Sequence, residues 1–188
     1  MEELFTYIEK FATLTVKERE RIEAVFTPKR IAKGDYFVES GKISHTIAFV
    51  ESGVFRSLYY NKTGDDFTRY FIYEGRFVGD LHNFFIQTPA NDYVEAITDA
   101  SVWSIDYADF RQLEKEISVW PLLMAKLHAF ATESKLKTAN MMLNLEAKDR
   151  YTFFLNHYPG LVNRVPLNML ASYLGITSSS LSRIRRSV

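Results

Sequence analysis

Apolar positions change their period twice along the chain. A first helix is predicted from about Val16 to Phe26, opened by Thr15-Val-Lys-Glu18, where a hydroxyl and a carboxylate three residues apart can each take the other's free amide. Pro28 is expected to close it. Between Arg30 and Asp106, short β-branched and aromatic runs alternate with glycine turns at 33–35, 40–42, 51–53, 62–66 and 74–76. That punctuation predicts about eight short antiparallel strands in a jelly-roll or barrel. The pattern then turns helical again. A short helix is predicted over Tyr107–Glu116, a long one from near Pro121 to about Leu143, and a further one over Glu146–Tyr158 that ends at Pro159-Gly160.

Along the long helix Ile117, Trp120, Met124, Leu127, Ala131, Ser134, Thr138, Met141 and Leu145 recur at alternating spacings of three and four, a heptad stripe. The stripe predicts pairing with a second copy, with the residues from Ile117 to Met141 at a dimer interface. The same spacing would serve a helix lying on its own strands. At about 1.5 Å per residue the helix is roughly 35 Å long, enough to join two domains.

Leu167–Val188, LNMLASYLGITSSSLSRIRRSV, reads as two short helices joined by a tight turn. Leu170, Leu174, Ile176, Leu181 and Ile184 supply a shared apolar face, and Ala171 is small where the helices would cross. Gly175 can end the first helix in the left-handed conformation. Thr177 stands as N-cap of the second. With Leu181 and Ile184 turned inward, Ser178, Ser179, Ser182, Arg183 and Arg186 fall on the opposite face. Hydroxyls and helix N-terminal amides suit phosphates, and an arginine can bond guanine O6 and N7 in parallel. Arg183 is expected to read a guanine, with Ser179 and Ser182 making weaker or water-mediated base contacts and Thr177, Ser178 and Arg186 placing the helix on phosphates.

Composition narrows the alternatives. Hydrophobic residues make up 47% and aromatic residues 15%, the signature of an ordered globular chain. No apolar run approaches membrane-spanning length and no leader pattern opens the sequence, so a cytoplasmic protein is expected. With no cysteine there is no disulfide, thiolate nucleophile or cysteine-held metal, and no cofactor is expected. His45, His82, His128 and His157 stand apart in the sequence, which argues against haem or a cupin-like metal enzyme. Net charge is zero, yet residues 146–188 carry six basic side chains against two acidic, leaving 17 against 21 for the remainder. One end suits a polyanion and the other does not.

Together these features divide the chain into a β-roll with flanking helices (1–116), a long helix (117–145) and a helix-turn-helix unit (146–188), an α+β protein. The order of elements, with Phe77-Val-Gly-Asp-Leu81, Val94-Glu-Ala96 and LGITSSSLSRI at 174–184, resembles the Crp/Fnr transcription regulators, the cyclic-AMP receptor protein and its relatives. The resemblance implies a winged-helix-like DNA-binding domain, a homodimer on a pseudo-palindromic duplex site, RNA polymerase as a further partner, and a small-molecule effector pocket in the roll. That pocket would include Gly79, Asp80, Leu81, His82 and Asn91.

Two departures matter. Members that bind cyclic nucleotides hold the phosphate with an Arg-Ser pair, and this chain has Ala90-Asn91 there. Losing that bidentate contact predicts no tight cyclic-AMP binding. Relatives also carry Arg-Glu near the start of the recognition helix, where this chain has Ser178-Ser179. A different operator follows. The competing reading is a ligand-binding signalling module that does not bind DNA.

Overall fold

The computed structural model describes residues 1–187, apart from the side chains of Ala131 and Ser134, so these two positions of the heptad stripe lie outside the described residues. The roll forms two antiparallel sheets of four strands each. One runs β1 (Thr27–Ile31), β8 (Ala100–Asp106), β3 (Thr46–Ser52), β6 (Phe77–Val78); the other runs β2 (Tyr36–Val38), β7 (Tyr93–Ala96), β4 (Val54–Tyr60), β5 (Asp66–Tyr73). Inward residues from both sheets, among them Val38, Val50, Phe55, Ile72, Val78, Val94 and Val102, make a closed apolar interior. The expected β-roll is therefore present.

Three local features differ from expectation. Helix α2 (Val16–Glu23) carries the full Thr15–Glu18 capping box but ends before Pro28. Pro28 instead lies in β1, an edge strand, where its missing amide removes no ladder bond that a central strand would need. A helix α1 (Glu2–Glu9) precedes it and buries Leu4, Phe5, Tyr7 and Ile8. A third, α3 (Leu81–Ile86), follows β6, capped by the Asp80 carboxylate.

Helices α4 (Tyr107–Glu116) and α5 (Trp120–Asn144) follow the roll. The stripe read from the sequence packs inside the chain. Ile117, Trp120, Met124 and Leu127 join α1, Phe49, Phe77, Phe84 and Phe110 in one cluster, and Met141 joins the C-terminal core. Thr138 is half-buried. Heptad period alone does not say which body fills the face, and here the protein's own domains do. The opposite side of α5 exposes Leu122 (51%), Leu136 (60%) and Leu143 (82%), with Ala129 in the same seven-residue register.

The C-terminal unit comprises α6 (Ala147–His157), a single 3-10 turn (Leu161–Asn163), α7 (Leu167–Tyr173) and α8 (Ser178–Arg186). Its core of Tyr151, Phe154, Leu161, Val165, Leu170, Ala171, Leu174 and Leu181 is continuous with Val54, Phe71 and Ile97 of the roll. The Phe71 ring lies 5.3 Å from Tyr173 and 6.1 Å from Phe154. Around this contact, the Thr68 amide donates to Ser172 Oγ at 3.0 Å, and Arg164 donates to both Glu74 oxygens at 2.8 and 2.6 Å. The helix-turn-helix unit thus sits directly on strand β5.

Candidate nucleic-acid interface and ligand cavity

The reading helix forms as the sequence suggests. Ile176 and Leu174 close the corner between α7 and α8, and Gly175 makes the turn at φ +65°. A Cβ added there would meet only the tip of the flexible Met142 side chain, so it is the left-handed backbone that calls for glycine. Thr177 caps α8 by accepting the Ser180 amide at 3.2 Å. Its hydroxyl also bonds Ser179 Oγ at 3.0 Å and Ser180 Oγ at 2.9 Å, so it is engaged locally before any duplex arrives. Leu181 is fully buried, whereas Ser178, Ser179, Arg183 and Arg186 are exposed and Ser182 half-exposed.

Arg185, left out of the sequence-based site, is exposed on the last turn beside Arg183 and Arg186, and Lys148 reaches the same end through the Ser187 carbonyl at 3.5 Å. Both were visible as basic residues, but their convergence depends on α6 lying beside the end of α8. Of the other basic residues in this unit, Arg164 is spent on Glu74, and Arg150 donates to the Leu145 carbonyl.

On the outer face of the β2-β7-β4-β5 sheet, the arginines are matched by acids. Arg56, 6% exposed, donates through Nη1 to Asp66 and through Nε to Glu95 Oε2 at 2.7 Å. Arg69 Nε meets Asp92 at 3.0 Å. Burial pushes the Asp92 carboxyl up, opposed by Arg69 and reinforced by Asp80. Ala90 is 3% exposed and offers only its methyl group and backbone, which pairs with residues 41 and 42. Asn91 is exposed, its carbonyl accepting the Ser40 hydroxyl. The expected pocket therefore divides. Gly79, Leu81 and His82 line a cavity; Asp80 caps α3 and holds Asn83 Nδ2 at 2.7 Å, and Asn91 sits apart.

That cavity, about 120 Å³, lies between β5, the β6–α3 turn and α5. Its apolar wall includes Phe71, Phe77 and Leu127, and its basic groups are Arg76, His82, His128 and Lys135. Of those four, the pocket expected from the sequence includes only His82. Arg76 stacks on Tyr73 with Cζ 3.6 Å from the ring centre, and the His82 and His128 rings stack at 6.1 Å. Tyr70 divides cavity from interior: its hydroxyl bonds Ser57, its ring lies 5.6 Å under Lys135 Nζ, and burial pushes its pKa up to about 12. Among the described residues no group of three or more His, Asp or Glu could hold a metal ion.

Residues 28–116 match the family model described as the cyclic nucleotide-binding domain. Over nearly the whole chain, FixK2 from Bradyrhizobium japonicum superposes with a TM-score of 0.77 at 16% identity, covering 87% of this chain and 84% of its own. The two chains share a fold. CLP, a c-di-GMP-responsive global regulator of Xanthomonas campestris, gives a TM-score of 0.71 at 17% identity over 92% of this chain and 91% of that one. A structure from Eubacterium rectale described as a Crp/Fnr-family regulator gives 0.69 at 17% identity over 93% and 83%. No curated protein matches the sequence. These structures share the fold over most of this chain, and among the described residues no helix is long and apolar enough to cross a membrane.

Proposed function

We propose that this chain is a cytoplasmic, homodimeric, sequence-specific DNA-binding transcription regulator, without catalytic activity, whose roll does not respond to cyclic AMP. The outward face of α8 carries the reading: Ser178, Ser179 and Ser182 followed by Arg183, Arg185 and Arg186, on a helix held by a buried Leu181 and a capped N-terminus. Arg183 reads a guanine, Arg185 and Arg186 meet phosphates, and Thr177 acts through its cap. In this reading residues 1–116 sense, 117–145 dimerise and 146–188 bind the duplex.

Dimerisation is assigned to the exposed row Leu122, Ala129, Leu136 and Leu143, whose seven-residue spacing keeps one apolar side chain every two turns on the same outward face of α5. A two-fold dimer calls for a pseudo-palindromic site with half-sites about one helical turn apart. Against cyclic AMP stand the methyl group of Ala90, where the phosphate-holding arginine would be expected, and the pairing of Arg56 and Arg69 with carboxylates of their own.

The test is selection of bound duplexes from a random pool at several salt concentrations, with Arg183→Ala beside the wild type. A two-fold-symmetric site that loses discrimination at one guanine per half-site, by about 1–3 kcal/mol in the variant, supports the assignment. Absence of enrichment, or binding without a steep salt dependence, favours the signalling module that does not bind DNA. Sedimentation of Leu136→Glu checks the seam: a monomer is expected, and an unchanged dimer overturns it.

A further inference from the structure

We propose that the cavity between β5, the β6–α3 turn and α5 binds a single-ring aromatic carboxylate, its anionic head at Arg76 and its ring against Phe77 and Leu127. The inference rests on the reading of the roll as a sensor of something other than a cyclic nucleotide, and it is independent of DNA binding.

Charge comes first. Arg76, His82, His128 and Lys135 converge on the cavity, and none of its lining residues is Asp or Glu. Elsewhere in the roll, Arg56 and Arg69 are each bonded to acids of neighbouring strands. Arg76 meets the face and hydroxyl of Tyr73, and among the described residues no carboxylate lies within ion-pair distance of it. A half-buried guanidinium without a counter-charge, on a cavity rimmed by further basic groups, is a site for an anion; its planar fork suits a carboxylate in two parallel bonds.

Size and walls set the rest of the ligand. The volume of about 120 Å³ is comparable with an apolar cavity of about 150 Å³ that accepts benzene, so one ring with a short acidic arm fits. Phe71, Phe77 and Leu127 give that ring apolar contact on three elements. Tyr158, which follows α6, also lines the space, so an occupant touches roll, long helix and DNA-binding unit together.

The experiment is calorimetric titration of the full-length, DNA-free protein with phenylacetate, benzyl alcohol, acetate and cyclic AMP. Saturable one-to-one binding of phenylacetate, about tenfold or more tighter than that of benzyl alcohol or acetate, is expected. Arg76→Gln should abolish the preference for phenylacetate over benzyl alcohol while benzyl alcohol still binds, a change in selectivity that misfolding cannot produce. Lys135→Gln should weaken phenylacetate by a smaller factor. Equal binding of acid and alcohol in the wild type, an unchanged preference in Arg76→Gln, or no saturation by phenylacetate at about 10 mM overturns the proposal. Tight cyclic-AMP binding overturns the sensor reading beneath it, whereas loss of duplex selection in the separate DNA experiment leaves this site standing.

Discussion

Arg56 and Arg76 stand on two sides of the same roll, and the difference between them separates structure from recognition. Arg56 is buried on the outer face of its sheet, held by Asp66 and Glu95, and its charge is consumed by the fold. Arg76 is half-buried at the cavity, stacked on Tyr73, with its charge unmatched by a carboxylate among the described residues. Taking a charge out of water is costly unless a partner compensates it, so a matched buried pair is part of the protein's own stability. An arginine facing an open cavity instead leaves that compensation to whatever enters. Tyr70 marks the boundary, with its hydroxyl on the inside and its ring toward Lys135.

The comparison is sharpened most by changing the wall that both sides share. Phe71→Ala removes a buried ring packed on Phe154 and Tyr173, and a loss of about 3–5 kcal/mol in urea unfolding is expected, with the helix-turn-helix unit released from β5 in hydrogen exchange. Arg56→Ala leaves Glu95 unpaired on the mostly covered outer face of the sheet. Because Asp66 is 41% exposed, the loss should fall near the lower end of the usual range for a broken buried pair, about 3 kcal/mol. Arg76→Gln, by contrast, should shift stability by no more than about 0.5 kcal/mol. If Arg56→Ala and Arg76→Gln proved equally damaging, the distinction between a structural and a receptive charge would be lost.

Tyr70→Phe gives a smaller effect with a pH signature. At neutral pH it should cost about 1 kcal/mol for the lost hydrogen bond to Ser57. The folded hydroxyl holds its proton up to about 12 while the unfolded one releases it near 10, so its stabilisation is complete below 10 and is lost as pH rises toward 12. Two pKa units are worth about 2.7 kcal/mol, so the gap between wild type and variant should close and then reverse across that window; a gap that stays constant would remove Tyr70 from the interior.

The smallest effect lies at the docking contact. Burial alone would raise the Glu74 carboxyl, but Arg164 and the Gly53 amide hold it below its usual value of 4.5. Its contribution is present above that value and is lost as pH falls through the lowered one. Glu74→Gln should flatten the acid limb of the melting curve by a few tenths of a kcal/mol, on the scale of a part-exposed ion pair.

Local chemistry made much of this fold readable from the chain. The Thr15–Glu18 box, the Thr177 cap and Gly175 each express a rule that operates over three or four residues, and all three are found as expected. The glycine-punctuated strands likewise marked the roll. The long helix was harder, because it carries two apolar rows of heptad spacing. Ile117, Trp120, Met124 and Leu127 pack under α1 and the roll, while Leu122, Leu136 and Leu143 stay outside. Both rows satisfy the same period, and nothing within the helix ranks them.

What the amino-acid order determined by itself was therefore the type and sequence of elements, together with the face of α8 that points outward, since caps, turns and periodicity act within one segment. Only the tertiary structure decided which row of α5 is core, which arginines find acids and where a cavity opens. Arg76 and the α5 residues His128 and Lys135 come from segments far apart in the chain, and their meeting depends on α5 packing beside the β5–β6 turn. Charge compensation is a property of neighbours in space, and those neighbours exist only once the roll has closed and the long helix has packed against it.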